Sequence, residues 1–297
     1  MNRRRAAEAA LVFNVVLWGA TFVLVKAALA DVSPVLFLAL RFTLATAALL
    51  LAFRGAALPW RSWKTARAGA LAGTFLFVGY AFQTVGLRLT TAPRSAFITG
   101  LTSVAVPLLA ALVYRVKPQA SEVMGVLIAT GGLALMTLPG VLGSVGMGDL
   151  LTVCCAAAYA AHIVTLGHFS EKMDYQLLAV SQIGISAILG WTLVWFVETP
   201  RLAWRPAVVW AILITGLLCT ALAFSIMAWA QRYTSPARTA LIFMLEPVVA
   251  WMTSYFTVGE GLSARAAAGA ALILGGVAMV ELKPLNARPH PIQQFEE

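Results

Sequence analysis

Residues 90–136, TTAPRSAFITGLTSVAVPLLAALVYRVKPQASEVMGVLIATGGLALM, fall in register with residues 234–280, TSPARTALIFMLEPVVAWMTSYFTVGEGLSARAAAGAALILGGVAMV, when the chain is shifted by 144 positions without a gap. Eleven of the 47 positions coincide: Thr90/Thr234, Arg94/Arg238, Ala96/Ala240, Ile98/Ile242, Leu101/Leu245, Val104/Val248, Ala120/Ala264, Gly125/Gly269, Gly131/Gly275, Gly132/Gly276 and Ala134/Ala278. Glycines recur easily in membrane helices. A threonine and an arginine aligned at a helix entrance do not recur so easily, and they carry the repeat.

Working outward from this stretch, apolar runs alternate with proline, glycine and charge punctuation. They predict helices near 8–30, 33–53, 67–87, 92–114, 119–138, 149–169, 175–197, 206–231, 236–257 and 264–282. Each copy of the repeat then holds five helices. Five is odd, so the second copy enters the membrane from the opposite face. The expected fold is all-α and integral to the membrane, with ten transmembrane helices as two inverted five-helix repeats, residues 1–138 and 139–282. Such repeats place a shared site near the midplane and permit alternating access. Residues 283–297, with three prolines and mixed charge, have the composition of a disordered cytoplasmic tail.

Composition demands a bilayer. The chain is 61% hydrophobic and 11% charged, with mean hydropathy +0.86, against about 45–50% and about 25% in soluble domains. A helix crosses roughly 30 Å of hydrocarbon with about 20 apolar residues, and ten such segments use nearly the whole chain. The net charge of +9 is scattered over short inter-helix stretches. It forms no basic face interleaved with aromatics, so no nucleic-acid partner is expected. With the N-terminus in the cytoplasm, 14 of the Lys and Arg residues fall on the cytoplasmic side and 5 on the other, which makes both termini cytoplasmic. Cys154, Cys155 and Cys219 lie within apolar runs, in neither a disulfide nor a zinc pattern. The apolar stretch Ala9 to Ala30 follows Arg3-Arg4-Arg5 as a secretory signal would, but it is longer than the usual signal core and carries Asn14, Trp18 and Lys26, so it reads as the first helix.

Several short motifs resemble the drug/metabolite transporter superfamily in its ten-helix branch of two EamA-type domains. They are Trp18-Gly19, Leu40-Arg41-Phe42, the run from Tyr233 to Arg238, Glu246-Pro247, Gly259-Glu260 and Gly275-Gly276. The resemblance implies a secondary transporter of a bacterial inner membrane, often an exporter of amino acids, other metabolites or toxic organic compounds. Arg115-Val116-Lys117 departs from it, standing where a Gly-Glu pair like Gly259-Glu260 is expected.

Charge at the bilayer centre is costly, which makes an intramembrane ionisable residue a functional candidate. Arg41, near the middle of the second helix, and Glu246, near the middle of the ninth, are expected at matching depth, as a charge pair or as two cavity-facing charges. Glu246 is a candidate for proton coupling. A structural role is preferred for Arg41, because the second helix tends to be peripheral in this architecture. Pro107 and Pro247 each remove a backbone hydrogen bond and are expected to kink their helices. Helical spacing groups the remaining candidates for solute binding: Asn14, Trp18 and Thr21; Tyr80 and Gln83; Ser95, Thr99 and Thr102; Tyr159 and His162; Thr220 and Phe224; and Glu246, Trp251 and Tyr255. Part of this set serves helix packing, and the rest makes a pocket for a small zwitterion or amphipathic molecule.

No glycine loop with lysine, no two-histidine metal face and no Ser/His/Asp set is present, so neither a cofactor nor a metal is expected and the chain is read as no enzyme. Without a nucleotide site, movement is then driven by a gradient, through proton coupling or exchange of solutes, or is passive. The partners are the lipid bilayer and a small-molecule solute, and the sequence leaves the oligomeric state open. Two other classes stay open beside the transporter: a membrane-bound enzyme acting on lipid-linked substrates, which needs a polar cluster at Glu171 to Asp174 or Glu198 to Arg205, and a non-transporting membrane scaffold. Topology is directly testable: reporters fused at both ends of the chain should both report the cytoplasm, and a periplasmic signal from the C-terminal fusion would remove the inverted arrangement.

Overall fold

A computed structural model of the chain describes residues 3–54, 63–90, 92–115, 119–137, 145–258 and 263–281. The expected tail 283–297, the Gly259-Glu260 pair, Val116-Lys117 and residues 138–144 lie outside the described residues. Within them the chain is helical: α1 (Arg3–Ala28), α2 (Pro34–Ala52), α3 (Trp63–Leu89), α4 (Ala92–Gly100), α5 (Thr102–Tyr114), α6 (Ala120–Thr137), α7 (Met147–Ser170), α8 (Tyr175–Val197), α9 (Pro206–Gly216), a π-helical segment (Leu217–Leu222), α10 (Ala223–Ala230), α11 (Pro236–Phe243), α12 (Glu246–Val258) and α13 (Ala264–Glu281). Six stretches, namely α2, α3, Phe97–Tyr114, α7, α8 and Pro206–Ala230, are long and apolar enough to cross a membrane, and Ala120–Met136 and Ala264–Val280 are shorter apolar helices. Helices are the economical solution in hydrocarbon, because each satisfies its own backbone groups.

Local chemistry sets the helix ends. Pro34, Pro206 and Pro236 occupy first turns, where the missing N–H would have had no partner. Ser235 Oγ accepts from the Arg238 backbone N–H as an N-cap. At the start of α2 the cap comes from across the molecule: the Glu198 carboxylate accepts from the N–H groups of Val35 and Leu36, at 3.2 and 2.9 Å, and its charge also suits the helix N-terminus. The same end is tied by Ser33 N–H to the Arg201 carbonyl and by an Asp31–Arg205 ion pair at 3.4 Å.

Two expected helices are broken. The run at 92–114 divides at Leu101, and the run at 236–257 divides at Met244 and Leu245. Leu101 and Leu245 are the same position under the 144-residue shift. Tight turns bonded three residues back mark both breaks, Leu101 N–H to Ile98 O and Leu245 N–H to Ile242 O. The two prolines stand differently with respect to these breaks. Pro247 leaves the Phe243 carbonyl without its usual donor, and α11 ends at Phe243, but Pro107 lies inside unbroken α5. A third irregularity interrupts the expected helix at 206–231. There Thr220 Oγ donates to the Thr215 carbonyl five residues back, at 2.8 Å, in the wide π turn.

Packing joins α3 to α7 and α8, α2 to α8, α1 to α9, α10, α11 and α12, and α6 to α13. The last seam is built on glycine. A Cβ on Gly132 would stand 2.5 Å from the Gly269 carbonyl oxygen, and one on Gly276 would stand 2.6 Å from that of Gly125. The partner of each glycine runs backward as the chain runs forward, so α6 and α13 are antiparallel. Gly131 and Gly275 meet nothing within 4 Å, which shows that only the second glycine of each pair permits the approach.

The seam generates a stability prediction. Gly132→Ala should lower thermal stability by about 1–3 kcal/mol through forced separation of the helices. Gly131→Ala should leave it unchanged or raise it by about 0.5–1 kcal/mol through helix propensity. Melting of the purified protein in detergent reads both.

Candidate functional site

A cavity of about 250 Å³ lies at the centre of the bundle. It is lined by Trp18, Thr21, Val25 and Leu29 of α1, Phe37, Leu38 and Arg41 of α2, Leu76, Tyr80, Gln83, Thr84 and Leu87 of α3, and Tyr159, His162 and Ile163 of α7. Both helix breaks face it, through Thr99, Gly100, Thr102 and Ser103 on one side and Phe243, Met244, Glu246 and Pro247 on the other. Leu133, Phe224, Met227, Ala240 and Ala250 close the wall.

Arg41 organises one side. Nε donates to Thr220 Oγ at 2.6 Å, and Nη2 donates to the Tyr80 hydroxyl at 3.2 Å and to the Cys219 carbonyl at 3.3 Å. The guanidinium carbon stands 4.8 Å from the Tyr80 ring centroid, within the range of a cation–π contact. Among the described residues Nη1 has no hydrogen-bond partner, and Arg41 lines the cavity. The Cys219 carbonyl, in the π-helical segment, also accepts from Trp18 Nε1, at 2.9 Å.

Aromatic rings form the remaining walls. Trp18 meets Phe243 at 5.0 Å and Phe224 at 5.6 Å between centroids, and Tyr80 meets Tyr159 at 5.6 Å, spacings of favourable edge and tilted contacts. Tyr159 donates its hydroxyl proton to Gln83 Oε1 at 3.0 Å. His162 Nε2 lies 2.8 Å from Gln182 Oε1, so α8 steadies a ring that α7 presents. Glu246 is the first residue of α12 and lines the cavity, where the helix N-terminus favours a carboxylate.

Of the residues the sequence singled out, Trp18, Thr21, Arg41, Tyr80, Gln83, Thr99, Thr102, Tyr159, His162, Phe224 and Glu246 come together here. Five do not line the cavity. Asn14 is buried against α10, donating to the Ala223 carbonyl at 2.8 Å. Ser95 is buried within α4. Thr220 stands behind Arg41 as its acceptor. Trp251 packs on the α6–α13 cluster, and Tyr255 is an exposed residue beside Phe256. Of the two arrangements expected for Arg41 and Glu246, the structure has two cavity-facing charges: no ion pair joins them among the described residues, because Arg41 is held by neutral acceptors and a ring. Arg41 is nonetheless a cavity residue, contrary to the peripheral placement expected of the second helix. Phe37, Leu38, Leu133 and Phe243 were missed, since an apolar residue on an apolar helix gives no sign of facing a cavity. Gln182 was missed as the partner of His162, although an amide within an apolar run was a signal.

The two ends of the cavity differ. Toward the α1 C-terminus it reaches Leu29 and Leu87, and Leu29 also lines a polar recess with Ser33, Arg88, Glu198, Thr199 and Arg201. Toward the opposite end α11 packs on α5 and α7, Ser103 Oγ donates to the Ala240 carbonyl at 2.8 Å, and a Cβ on Gly167 would stand 2.6 Å from Pro236 Cγ. The other halves of the broken helices pack mainly elsewhere, α12 on α1 and α4 on α6 and α7. The cavity is therefore floored at the end where α1 begins.

A family model described as the EamA-like transporter family matches residues 6–138 and again residues 146–282. The chain is 33% identical over 281 residues to an uncharacterized transporter of Archaeoglobus fulgidus, a match covering 95% of this chain and 87% of the relative. It is 23% identical to the uncharacterized transporter YvbV of Bacillus subtilis, over 92% of this chain and 90% of that one. A crystal structure with 20% sequence identity superposes with a TM-score of 0.79, over 93% of this chain and 97% of the other, which is a likeness of fold.

The Arg41 anchorage makes a prediction that needs no solute. Thr220→Val removes the acceptor of a buried guanidinium N–H and should cost about 1–3 kcal/mol in thermal unfolding. Tyr255→Ala, at an exposed position, should leave the melting temperature within error of the parent.

Proposed function

Because this chain belongs to the EamA-like transporter family and is a multi-pass membrane transporter, we propose that it exports a small zwitterionic or amphipathic organic solute across a bacterial inner membrane by alternating access. The observation that carries this reading is the central cavity, which sets Arg41 and Glu246 among aromatic walls. A solute with an apolar body meets Trp18, Tyr80, Tyr159 and Phe224, while its polar groups meet the unpartnered Nη1 of Arg41 and the Glu246 carboxylate. No covalent chemistry is required of these groups. Glu198 and Arg205, which a lipid-acting enzyme would need at the interface, are engaged in capping α2 and pairing with Asp31.

In this reading the membrane is crossed ten times, by two inverted copies of five helices each. Three features support the inversion. The helix breaks at Leu101 and Leu245 occupy equivalent positions, the antiparallel glycine contacts Gly125·Gly276 and Gly132·Gly269 exchange with each other under the same shift, and the family model matches twice. The excess of Lys and Arg around the α1 N-terminus supports cytoplasmic termini. With that orientation the cavity faces outward and its floor is cytoplasmic.

Glu246 is the coupling residue in this scheme. Among the described residues no cation pairs with it, and an unpaired carboxylate facing a cavity in hydrocarbon is best tolerated when it can take up a proton. Candidate solutes come from a panel of toxic amino acids and cationic drugs applied to cells lacking or overproducing the protein. In proteoliposomes with the solute so identified, Glu246→Gln should fold with parental stability, since no ion pair is broken, and should lose gradient-driven transport or its pH dependence. Proton-driven transport of parental size and pH profile in Glu246→Gln would exclude the coupling role.

A further inference from the structure

Below the cavity floor lies a second polar cluster that the solute site does not use. Glu8 Oε1 of α1 receives Arg4 Nε at 2.6 Å and stands 3.5 Å from Arg238 Nη1 of α11, while Arg238 Nε stands 4.0 Å from Glu122 Oε1 of α6. Arg238 is 4% exposed and lies two residues from Ala240, which lines the cavity. The cluster therefore ties the first family-matched block, through α1 and α6, to the second, through α11.

Buried amides stand beside it. Trp18 bonds the Cys219 carbonyl and Asn14 bonds the Ala223 carbonyl, so α1 and α10 run antiparallel in step. Eight residues further along, roughly 12 Å of helix, Gln231 comes level with the Glu8 turn. Arg3, whose guanidinium lies 5.9 Å from the Tyr233 ring centroid, fixes the same alignment. Gln231 is 1% exposed, and among the described residues neither of its side-chain polar atoms has a partner, nor do Thr234 Oγ and Asn14 Oδ1. Buried polar atoms without partners each cost about 1–3 kcal/mol, and apolar residues at these positions would pack more stably. A stability role does not account for them.

We propose that this cluster is the second portal of the solute path. Glu8, Arg238 and Glu122 form the latch that closes it, Asn14 lines the closed passage between latch and cavity, and Gln231 and Thr234 stand at the latch itself. When the latch parts, water and the polar groups of the passing solute fill the empty bonding positions of the amides. The open form thereby recovers part of what the broken ion pairs held, so the two forms stay close in free energy, as a cycle of alternating access requires.

The proposal extends the transport reading but is tested without a solute. Cys154, Cys155 and Cys219 are replaced by alanine, and Gln231→Cys is labelled with a membrane-impermeant maleimide added from the face that carries the N-terminus. Labelling should be slow with the latch intact. Glu8→Gln should accelerate it about tenfold, the effect of a shift of about 1.4 kcal/mol toward the open form. If Glu8→Gln does not yield monodisperse protein, Glu122→Gln is read in the same way. Equal labelling rates with and without the latch substitution, in monodisperse protein, would overturn the portal. That result would leave the proposed solute and its export standing, whereas accelerated labelling together with no transport of any panel solute would overturn the proposed solute class and keep the portal.

Discussion

In hydrocarbon no water satisfies a peptide group, so each backbone N–H and carbonyl must find a protein partner or face a wet cavity. The rest of this structure follows from that constraint. The chain departs from regular helical bonding inside the bundle at Leu101, at Met244 and Leu245, and over Leu217–Leu222. All three departures border the central cavity: the two breaks line it directly, and the π turn offers the Cys219 carbonyl to Trp18 and Arg41, which line it. Irregular backbone and polar interior occur together because each makes the other tolerable.

The same constraint explains how a guanidinium is kept in the wall. Arg41 is held by a hydroxyl, a carbonyl, a phenol and a ring face, so its charge is solvated by dipoles and left uncancelled. An opposing carboxylate would have neutralised it and removed its attraction for a solute. Charges at the floor are treated in the opposite way. There Arg238 is set against Glu8 and Glu122, which suits a contact that holds two bodies together. One cation in the chain is thus prepared to receive a ligand and the other to close a joint.

Much of this was legible in the sequence, for identifiable reasons. Apolar runs of bilayer length between proline and charge located the helices, and polar residues on aromatic-bearing faces located most of the cavity. Failures occurred where a residue's meaning depends on what the neighbouring helix offers. Asn14 and Thr220 have the look of cavity residues, yet each is held against a partner, a carbonyl for Asn14 and the Arg41 guanidinium for Thr220. Tyr255 has the spacing of Glu246 but sits beyond the reach of the opposing helices and faces outward. Pro107 carries the strongest local sign of a break and is not at one, since the break at Leu101 falls in a stretch without proline. Arg41 was expected to be poorly placed because its helix was read as peripheral, whereas α2 borders the cavity through Phe37 and Leu38 as well.

The glycine seam between α6 and α13 has an evolutionary consequence. Gly125 touches Gly276, and Gly132 touches Gly269, so every contact joins a residue of one copy to the counterpart of its own neighbour in the other. A substitution at one glycine therefore meets an unchanged partner in the other family-matched block, and only a second change across the seam can balance it. The seam makes each block's tolerance of mutation depend on the other.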